Sequence, residues 1–292
     1  MNPRRRHEGE VEAFLRERLG IAGWTFALPR GSGHETYLAR GGDQALFIKV
    51  SAHIERTIAM ARVGLTPPVL QTGRLADGSA IVVQPFIEGH HPTRSEYRAR
   101  LEEIARIIRD MHCNPEVRAT LPPALSGDYA SAGKRTLDQV RARWERVRAK
   151  VPNVAGFVDA ALDDLERRIA HFSGGGLVAS HNDICRDNWL FTADGHIYLV
   201  DLEAMALDDP VLDVGATLWW YYAPELWPRF LQYVGYPDDE EFRDRMWVRL
   251  ALHCLNITLP RPGSFDTFTA ASYGERLVDF RAAMERKGNP EL

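Results

Sequence analysis

The chain has few cysteines, no long apolar run and no excess of positive charge. Only three of its 292 residues are cysteines, Cys113, Cys185 and Cys254, and no two of them form a Cys-x-x-Cys pair. An odd and scattered set of this kind argues against a disulfide framework and against a zinc site. No apolar run approaches the ~20 residues of a membrane helix, and no apolar signal core follows the basic first residues. We therefore expect a cytoplasmic protein with no membrane partner.

The charge balance of the chain is slightly acidic. The formal net charge is −4 and the pI is about 6.2. Domains that bind nucleic acid usually carry a broad basic field, so nucleic acid is not an expected partner. Hydrophobic residues make up 45% of the chain and charged residues 26%, which is typical of a globular protein. A chain of this length suits two packed lobes or one large domain.

The predicted secondary structure changes in character near residue 86. Before it, apolar stretches between turn signals predict five strands, at Trp24–Pro29, Thr36–Ala39, Ala45–Val50, Val69–Leu75 and Ala80–Phe86. One helix is predicted among them, at Ile54–Val63. After it, apolar residues at helical spacing predict helices, at Ser95–Met111, Leu137–Lys150, Val154–Phe172, Pro210–Tyr222, Glu240–Leu255 and Ser272–Arg286. Segregated strands and helices are typical of an α+β fold. We expect an N-terminal domain of residues 1–86 and a helical domain of residues 87–292.

A predicted hairpin near the middle of the chain carries the most informative polar residues. The Asp-Gly pair at 194–195, between two apolar runs, is a strong hairpin signal. With the turn at this pair, Asn188 faces Asp201 and their Cβ atoms lie about 5 Å apart. Magnesium takes few hard oxygen ligands from protein, so Asn188 and Asp201 are candidate ligands. Asp183, in the loop that leads into the hairpin, is the candidate base for a hydroxyl that attacks a phosphate.

Each of these residues taken alone fits a turn or a cap. As a set, however, the pattern His-x-Asp-x-x-x-x-Asn followed by an Asp after a hairpin is similar to the catalytic and metal loops of protein kinases. His181-Asn182-Asp183, Asp201-Leu202-Glu203 and Asp209-Pro210-Val211-Leu212-Asp213 look more like the choline kinase and aminoglycoside phosphotransferase family. The resemblance spans roughly residues 25 to 223 and implies a two-lobed, protein-kinase-like fold. It also implies ATP and Mg²⁺ as cofactors. Asp213 is expected to cap the next helix or to brace the loop.

The resemblance implies a nucleotide site in the N-terminal lobe, which would begin with a leading helix. Lys49, at the end of an alternating strand, would contact the α- and β-phosphates of ATP. Glu55, on the next predicted helix, would be its ion-pair partner. Gly31-Ser32-Gly33 would form the loop over the phosphates, since glycine permits close approach of the backbone. A lysine and a short glycine turn are also common on ordinary surfaces.

The resemblance places two further groups. Gln84 and Phe86 lie in the expected hinge between the lobes, where backbone groups bind adenine. Arg186, in the catalytic loop, would steady the transferring phosphoryl group, although a surface arginine is the more common case. His112 is expected to be a packed or capping histidine.

The acceptor is expected to be a small molecule with a hydroxyl group, and we expect it to be cationic. Aromatic faces at Trp219-Trp220-Tyr221-Tyr222 and Trp227 could hold a quaternary ammonium, or could pack the core. Acidic residues at 208, 209, 225 and 238–241 could suit a polycationic aminoglycoside, or could be solvated. An amino alcohol such as choline and an aminoglycoside both remain open.

Two other classes of protein remain as alternatives. One is a regulatory protein that keeps the kinase fold and its nucleotide site, and the intact Lys49, Asp183, Asn188 and Asp201 argue against it. The other is a protein kinase, but the chain has no Asp-Phe-Gly or Ala-Pro-Glu signature. A helical insert at residues 137–172 also precedes the catalytic loop. The oligomeric state and the choice between ATP and GTP stay open.

Overall fold

The computed structural model describes residues 6–28, 35–50, 53–124, 127–260 and 270–292. The chain forms two compact units. Unit 1 consists of Met1–Pro92, Pro115–Leu121 and Arg186–Ala204, and unit 2 of Thr93–Asn114, Pro122–Cys185 and Met205–Leu292. The chain therefore crosses between the units several times, whereas the expected domains meet once, after residue 86.

The strands, numbered along the chain, are β1 (Thr25–Ala27), β2 (Thr36–Gly41), β3 (Gln44–Val50), β4 (Gln71–Arg74), β5 (Ala80–Pro85), β6 (Gly89–His90), β7 (Val178–Ser180), β8 (Trp189–Thr192), β9 (Ile197–Leu199) and β10 (Ala206–Asp208). The helices are α1 (Glu8–Leu19), α2 (Ile54–Arg62), α3 (Arg94–Ala99), α4 (Leu101–Cys113), α5 (Pro115–Ala119), α6 (Tyr129–Arg148), α7 (Pro152–Ile169), α8 (Val211–Tyr221), α9 (Trp227–Val234), α10 (Glu240–Thr258), α11 (Ala270–Arg276) and α12 (Val278–Met284). None of the described helices is both long and apolar enough to cross a membrane.

Unit 1 is built on a five-stranded antiparallel sheet with the order β1-β2-β3-β5-β4. The alternation predicted for β3 is confirmed, because Leu46, Ile48 and Val50 are buried on one face of the sheet. Val11, Phe14 and Leu15 of α1 join this core, since α1 is amphipathic and lies against the sheet. The predicted strands of this region are observed with ends shifted by at most two residues.

A buried histidine ties α1 to the sheet of unit 1. The Nδ1 atom of His7 lies 2.7 Å from Glu35, which precedes β2, and Nε2 lies 2.9 Å from Asp77, in the turn before β5. Tyr37 also donates a hydrogen bond to Glu35. Burial alone lowers the pKa of His7, but the hydrogen bonds to Asp77 and Glu35 outweigh it and raise the pKa above its ordinary value. We call His7, Glu35 and Asp77 the His7 clamp.

The predicted hairpin exists as β8 and β9, but its register is one residue away from the prediction. Leu190 pairs with Tyr198, and the backbone N–H of Val200 donates to the carbonyl of Asn188 at 2.9 Å. Asn188 therefore faces Val200 and not Asp201. The loop has three residues, because the N–H of Gly195 closes a turn onto Thr192, and Gly195 itself takes a left-handed φ of 90°. Glycine after a type I turn favours this longer loop over the two-residue turn.

Unit 2 is mainly helical and contains one short ladder, in which β7 runs antiparallel to β10. Asp128 caps α6 by accepting from Ser131, so the helix begins eight residues before its predicted start at Leu137. Asp239 caps α10 in the same way. The helix predicted at 272–286 is divided at Leu277 into α11 and α12. The α+β architecture predicted from the sequence is confirmed, since most strands lie in unit 1 and most helices in unit 2.

Candidate active site

Lys49 forms ion pairs with two carboxylates in unit 1. Its side chain lies on the face of β3 opposite the core, and Nζ lies 2.8 Å from Oδ1 of Asp201 and also pairs with Glu203. The prediction that Glu55 is the partner of Lys49 is wrong for this structure. Glu55 is exposed on α2, because the helix turns Arg56 inward, where it donates to the carbonyl of Leu202 at 2.7 Å.

These side chains line a cavity of about 600 Å³ that lies within unit 1. Lys49, Asn188, Asp201 and Glu203 form its polar wall, and apolar side chains such as Val82 and Leu190 form much of the remainder. A volume in this range, with a few polar groups on an apolar lining, is typical of small-molecule sites. The cavity thus brings together five of the residues predicted from the sequence, Lys49, Gln84, Phe86, Asn188 and Asp201, although they come from distant parts of the chain.

Asn188 and Asp201 both reach the cavity in spite of the shifted register. Asn188 is buried at the end of a 3₁₀ turn, Arg186–Asn188, just before β8. Asp201 lies two residues after β9 and has a left-handed φ of 60°, which is uncommon for a residue other than glycine. That backbone turn ends the alternation of the strand, so the carboxylate is directed to the cavity. Such conformations persist only where the surroundings hold them, and they cluster at functional sites.

Glu203 is a site residue that the sequence analysis did not select. It follows Asp201 by two residues, in the 3₁₀ turn Leu202–Ala204, and is half-buried. Burial and the neighbouring carboxylate of Asp201 raise the pKa of Glu203, while Lys49 opposes that shift. The signal available in the sequence was the Asp-Leu-Glu triplet. Its significance depends on the fold, which brings both carboxylates to one lysine.

The donor set of the cavity fits a magnesium ion. Asn188 offers an amide oxygen and Asp201 a carboxylate oxygen, and both are hard ligands of the kind that Mg²⁺ prefers. Within the described ranges, no group of three or more His, Cys, Asp or Glu side chains is arranged to hold a metal. A site with two protein ligands therefore relies on phosphate and water oxygens to complete the shell, which is common for Mg²⁺ in kinases.

The expected hinge residues line the cavity, but some of their polar groups already form hydrogen bonds within the protein. The side-chain amide of Gln84 donates to the carbonyl of Pro67 at 2.5 Å, and the backbone N–H of Phe86 donates to Ala45 at 2.8 Å. The ring of Phe86 remains as a surface on which a base could stack. Adenine contacts at Gln84 and Phe86 stay a prediction. The predicted loop Gly31-Ser32-Gly33 lies outside the described residues.

In unit 2, a buried carboxylate braces the loop that carries Asp183. Asp213, on the first turn of α8, accepts from the backbone N–H of His181 at 2.7 Å and from that of Asn182 at 3.0 Å. His112 of α4 lies 3.0 Å from the same carboxylate. Burial raises the pKa of Asp213, but the hydrogen bond and charge of His112 and the contacts with His181 outweigh it and lower the pKa. Asp213 thus braces the loop, which is one of the two roles expected for it.

The bracing fixes the backbone that leads to Asp183. Asn182 has a left-handed φ of 63°, and its side chain accepts from Ser180 at 2.9 Å. Asp183 follows with an exposed side chain, and Arg186 is exposed in the 3₁₀ turn. The histidine His112 is buried and bonded to Tyr236 and Asp213, so the expectation of a packed histidine is confirmed.

These two sets of residues can be compared with known proteins. The model of the phosphotransferase enzyme family matches residues 28–250. The chain belongs to this family. The match covers more than half of the chain and includes Lys49, the loop of Asp183, and both candidate magnesium ligands.

Solved structures of other phosphotransferases share the fold. A candidate aminoglycoside phosphotransferase from Ralstonia eutropha is 17% identical with a TM-score of 0.72, over 95% of this chain and 97% of that one. A choline/ethanolamine kinase family protein from Mesorhizobium loti is 20% identical with a TM-score of 0.67, over 97% and 96%. A choline kinase from Streptococcus pneumoniae is 16% identical with a TM-score of 0.63, over 96% and 99%. These likenesses show a kinase-like fold, and the family match makes the chain a phosphotransferase.

The side chains expected to hold a cationic acceptor in this phosphotransferase are mostly engaged elsewhere. Of the aromatic cluster, Trp219, Tyr221, Tyr222 and Trp227 are buried and Trp220 is half-buried. They pack with one another and with Tyr97, Phe230 and Trp247. The aromatic residues thus belong to the core of unit 2, which was one of the two interpretations of the sequence.

Several of the acidic residues proposed for a polycation are also paired. Asp208 lies 2.9 Å from Arg249, and Asp209 lies 3.1 Å from Arg245. Asp238 pairs with Arg243. A carboxylate that already neutralises an arginine attracts a second cation weakly, because the two charges largely cancel. Asp208 and Asp209 are in addition buried.

Proposed function

We propose that this phosphotransferase moves the γ-phosphate of ATP to a hydroxyl group of a small molecule. The hydroxyl oxygen forms a new bond to the γ-phosphorus, and the bond from that phosphorus to the β–γ bridging oxygen breaks. Asp183 accepts the hydroxyl proton, and ADP leaves with the electron pair of the broken bond. Two structural neighbours support nucleotide use, since a pneumococcal protein was solved with AMP and a spectinomycin phosphotransferase with ADP and spectinomycin.

The observation that carries the proposal is the convergence of Lys49, Asn188, Asp201 and Glu203 on one cavity. Lys49 comes from β3, and its carboxylate partners come from residues more than 150 positions later. A lysine held between carboxylates in an apolar cavity is ready to exchange one of them for a phosphate. We propose that Lys49 binds the α- and β-phosphates and that Asn188 and Asp201 hold Mg²⁺. The ion, when bound, neutralises the charge of the phosphates and that of the transferring group.

Asp183 is proposed as the base because of its place in the chain and its support. It lies five residues before Asn188, in the segment whose backbone is bonded to Asp213. Its exposed carboxylate can reach a hydroxyl, and a positioned carboxylate contributes about 10²- to 10⁴-fold to such reactions. Arg186, also exposed, is proposed to contact the transferring phosphoryl group. Gly31, Ser32 and Gly33 are proposed to cover the phosphates, and the ring of Phe86, beside Gln84, is proposed to contact adenine.

The acceptor is proposed to be a cationic alcohol, either an amino alcohol or an aminoglycoside. The support is family membership, together with neighbours named as a choline kinase and a spectinomycin phosphotransferase. The aromatic cluster adds no support, because it packs the core. The buried Asp208 and Asp209 add none either, because each pairs with an arginine of α10. We therefore propose that side chains near Asp183 contribute to acceptor recognition.

The experiment is a measurement of ADP release with a panel of alcohols. The panel contains choline, ethanolamine, homoserine, thiamine, glycerol, spectinomycin and kanamycin. We expect at least one compound to stimulate ADP release, with a product one phosphate heavier by mass spectrometry. Asp183→Asn should lower turnover at least 100-fold and leave the Kd for ATP, from calorimetry, within about threefold. Turnover of Asp183→Asn within a few-fold of the wild type would remove Asp183 from the role of base.

The charge of the acceptor is tested by salt. The KM of the best substrate is measured at low and at high ionic strength. A polycation held by exposed carboxylates loses affinity steeply, because salt screens exposed charges over about 8–10 Å. If only uncharged or anionic alcohols are phosphorylated, the cation proposal fails, whereas the kinase proposal does not.

A further inference from the structure

A row of basic side chains runs along one side of α10. Arg245, Arg249 and His253 are spaced four residues apart, and residues at this spacing lie on the same side of a helix. The row spans about 12 Å, since each residue of a helix rises 1.5 Å. Arg245 lies 3.1 Å from Asp209, and Arg249 lies 2.9 Å from Asp208. The first two members of the row are thus each paired with a carboxylate.

The order of these pairs leads from the row towards the segment of Asp183, and His253 is the member of the row nearest to that end. Asp208 pairs with Val178 at the start of β7, while Asp183 follows the end of that strand. From Arg245 to His253, the row therefore runs in the same direction as the chain runs from β7 to the catalytic loop. In agreement with this order, the charge of Asp183 acts on His253 and opposes the lowering of its pKa by burial and by Arg249. Both residues belong to unit 2.

The imidazole of His253 is surrounded by protein but open to a ligand. Burial is the largest effect on its pKa and lowers it, yet the side chain keeps partial exposure. Among the described residues, neither ring nitrogen has a hydrogen-bond partner, and neither is one of the unbonded atoms that are sealed from solvent. A buried polar group usually has a partner, so these nitrogens are available to one.

We propose that His253 binds the acceptor, with a ring nitrogen hydrogen-bonded to an uncharged group next to the hydroxyl that Asp183 deprotonates. The inference rests on the proposed function of Asp183. Burial, with a smaller effect of Arg249 one turn earlier, makes the surroundings of His253 unfavourable for a positive charge on the imidazole. The group that meets His253 is therefore a hydroxyl or an amide of the acceptor, and an ammonium group, if the acceptor has one, lies elsewhere.

The kinetic test replaces His253 and uses the panel compound that gives the fastest ADP release. His253→Ala should raise the KM for that compound about tenfold, which is the loss expected for one hydrogen bond with a partly buried group. The KM for ATP should stay within twofold. His253→Asn places an amide nitrogen near the position of Nδ1, and His253→Gln near that of Nε2, so one of the two should recover most of the affinity. His171→Gln, at an exposed histidine after α7, is the matched control and should behave as the wild type.

Two kinetic outcomes would overturn the proposal. An acceptor KM that does not change in His253→Ala would exclude contact with the acceptor. Equal losses of ATP affinity, acceptor affinity and thermal stability in the Ala, Asn and Gln variants would make His253 a packing residue. If the alanine variant does not fold, the Asn and Gln variants decide, since they retain polarity and most of the volume.

A chemical test does not depend on turnover. Diethyl pyrocarbonate reacts with neutral, accessible imidazoles, and peptide mass spectrometry reports the rate at each histidine. His253 should react in the folded protein, with a midpoint below the ordinary pKa of about 6.5. Asp183→Asn should move that midpoint to lower pH, because it removes the charge that favours the imidazolium. An unreactive His253, or a midpoint that Asp183→Asn does not move, would refute the geometry. If no panel compound is phosphorylated, the proposed function fails, and this test still judges the environment of His253.

Discussion

Replacing Lys49 by methionine tests the nucleotide side of the cavity. Methionine keeps the length of the side chain and removes the ammonium group. Lys49 is only 15% exposed, so its contact with a phosphate is poorly screened by solvent. A hydrogen bond to a charged group contributes about 1.5–3 kcal/mol. At 1.4 kcal/mol for each tenfold, Lys49→Met should raise the KM for ATP about 10- to 100-fold.

The same substitution leaves two neighbouring carboxylates without their cation. The pKa of Glu203 is already raised by burial and by Asp201, and the loss of Lys49 should raise it further. Glu203→Gln removes one of the two negative charges, so the double variant should be less impaired than the sum of the single variants. Coupling energies of about 0.5–3 kcal/mol are usual for residues in contact. Strict additivity would mean that the two residues do not act together.

The assay is steady-state ADP release with ATP and the acceptor varied separately. The KM for the acceptor should change less than about threefold, since Lys49 lies in the cavity of unit 1 and the proposed acceptor contacts are elsewhere. Lys134→Met, at a half-exposed lysine of α6, is the matched control. A KM for ATP within twofold of the wild type in Lys49→Met, with a normal melting temperature, would refute the role in phosphate binding.

Three further predictions follow from the same geometry. Asp201→Ala should raise the Mg²⁺ concentration for half-maximal activity more than Asn188→Ala does, because a carboxylate binds a hard cation more strongly than an amide; equal metal titrations would contradict this. Asp213→Asn places an amide N–H₂ group against the backbone N–H groups that the carboxylate now accepts from. This change should lower kcat about 10- to 100-fold with little change in the Kd for ATP. A normal kcat would show that the loop does not depend on Asp213. Because the pKa of His7 is raised, the His7 clamp stabilises the fold fully below about pH 6.5, and this stabilisation is lost as the pH rises through the raised pKa. Because the pKa of Glu35 is lowered, the clamp also weakens in acid, as the pH falls through that lowered pKa. The melting temperatures of wild type and His7→Gln should therefore differ more at pH 6 than at pH 9.

The sequence predicted the elements of the fold well where apolar periodicity was strong. β3 and β5 were found within about a residue, because β3 alternates in burial and β5 is a short continuous run of buried residues. The ladder of β7 and β10 was missed, since three-residue strands have too few side chains to show a period. The start of α6 was missed for another reason. Its first turns contain Ala132 and Gly133, which are buried but small, so they give little hydrophobic signal.

The hairpin illustrates how a wrong local geometry can accompany a useful prediction about function. Facing positions for Asn188 and Asp201 were inferred from a two-residue turn, and the structure has a three-residue loop. Both residues still line one cavity, because Asp201 leaves the strand in a left-handed conformation. No pattern of hydropathy encodes that turn. The turn suggested the pair of residues, and the resemblance to a family supported the same pair independently of the register.

The two left-handed residues of the catalytic segment also indicate what keeps its backbone in place. Asn182 and Asp201 have φ values of 63° and 60°, at the two ends of the segment that contains Asp183 and Asn188. Each is held by a charged partner that is remote in sequence, Asn182 through the buried Asp213 and Asp201 through Lys49. Such conformations cost of order 1–3 kcal/mol, and these remote contacts help to hold them. The same contacts position the proposed base and the proposed metal ligand. The sequence alone therefore does not distinguish the residues that stabilise this segment from those that perform its chemistry.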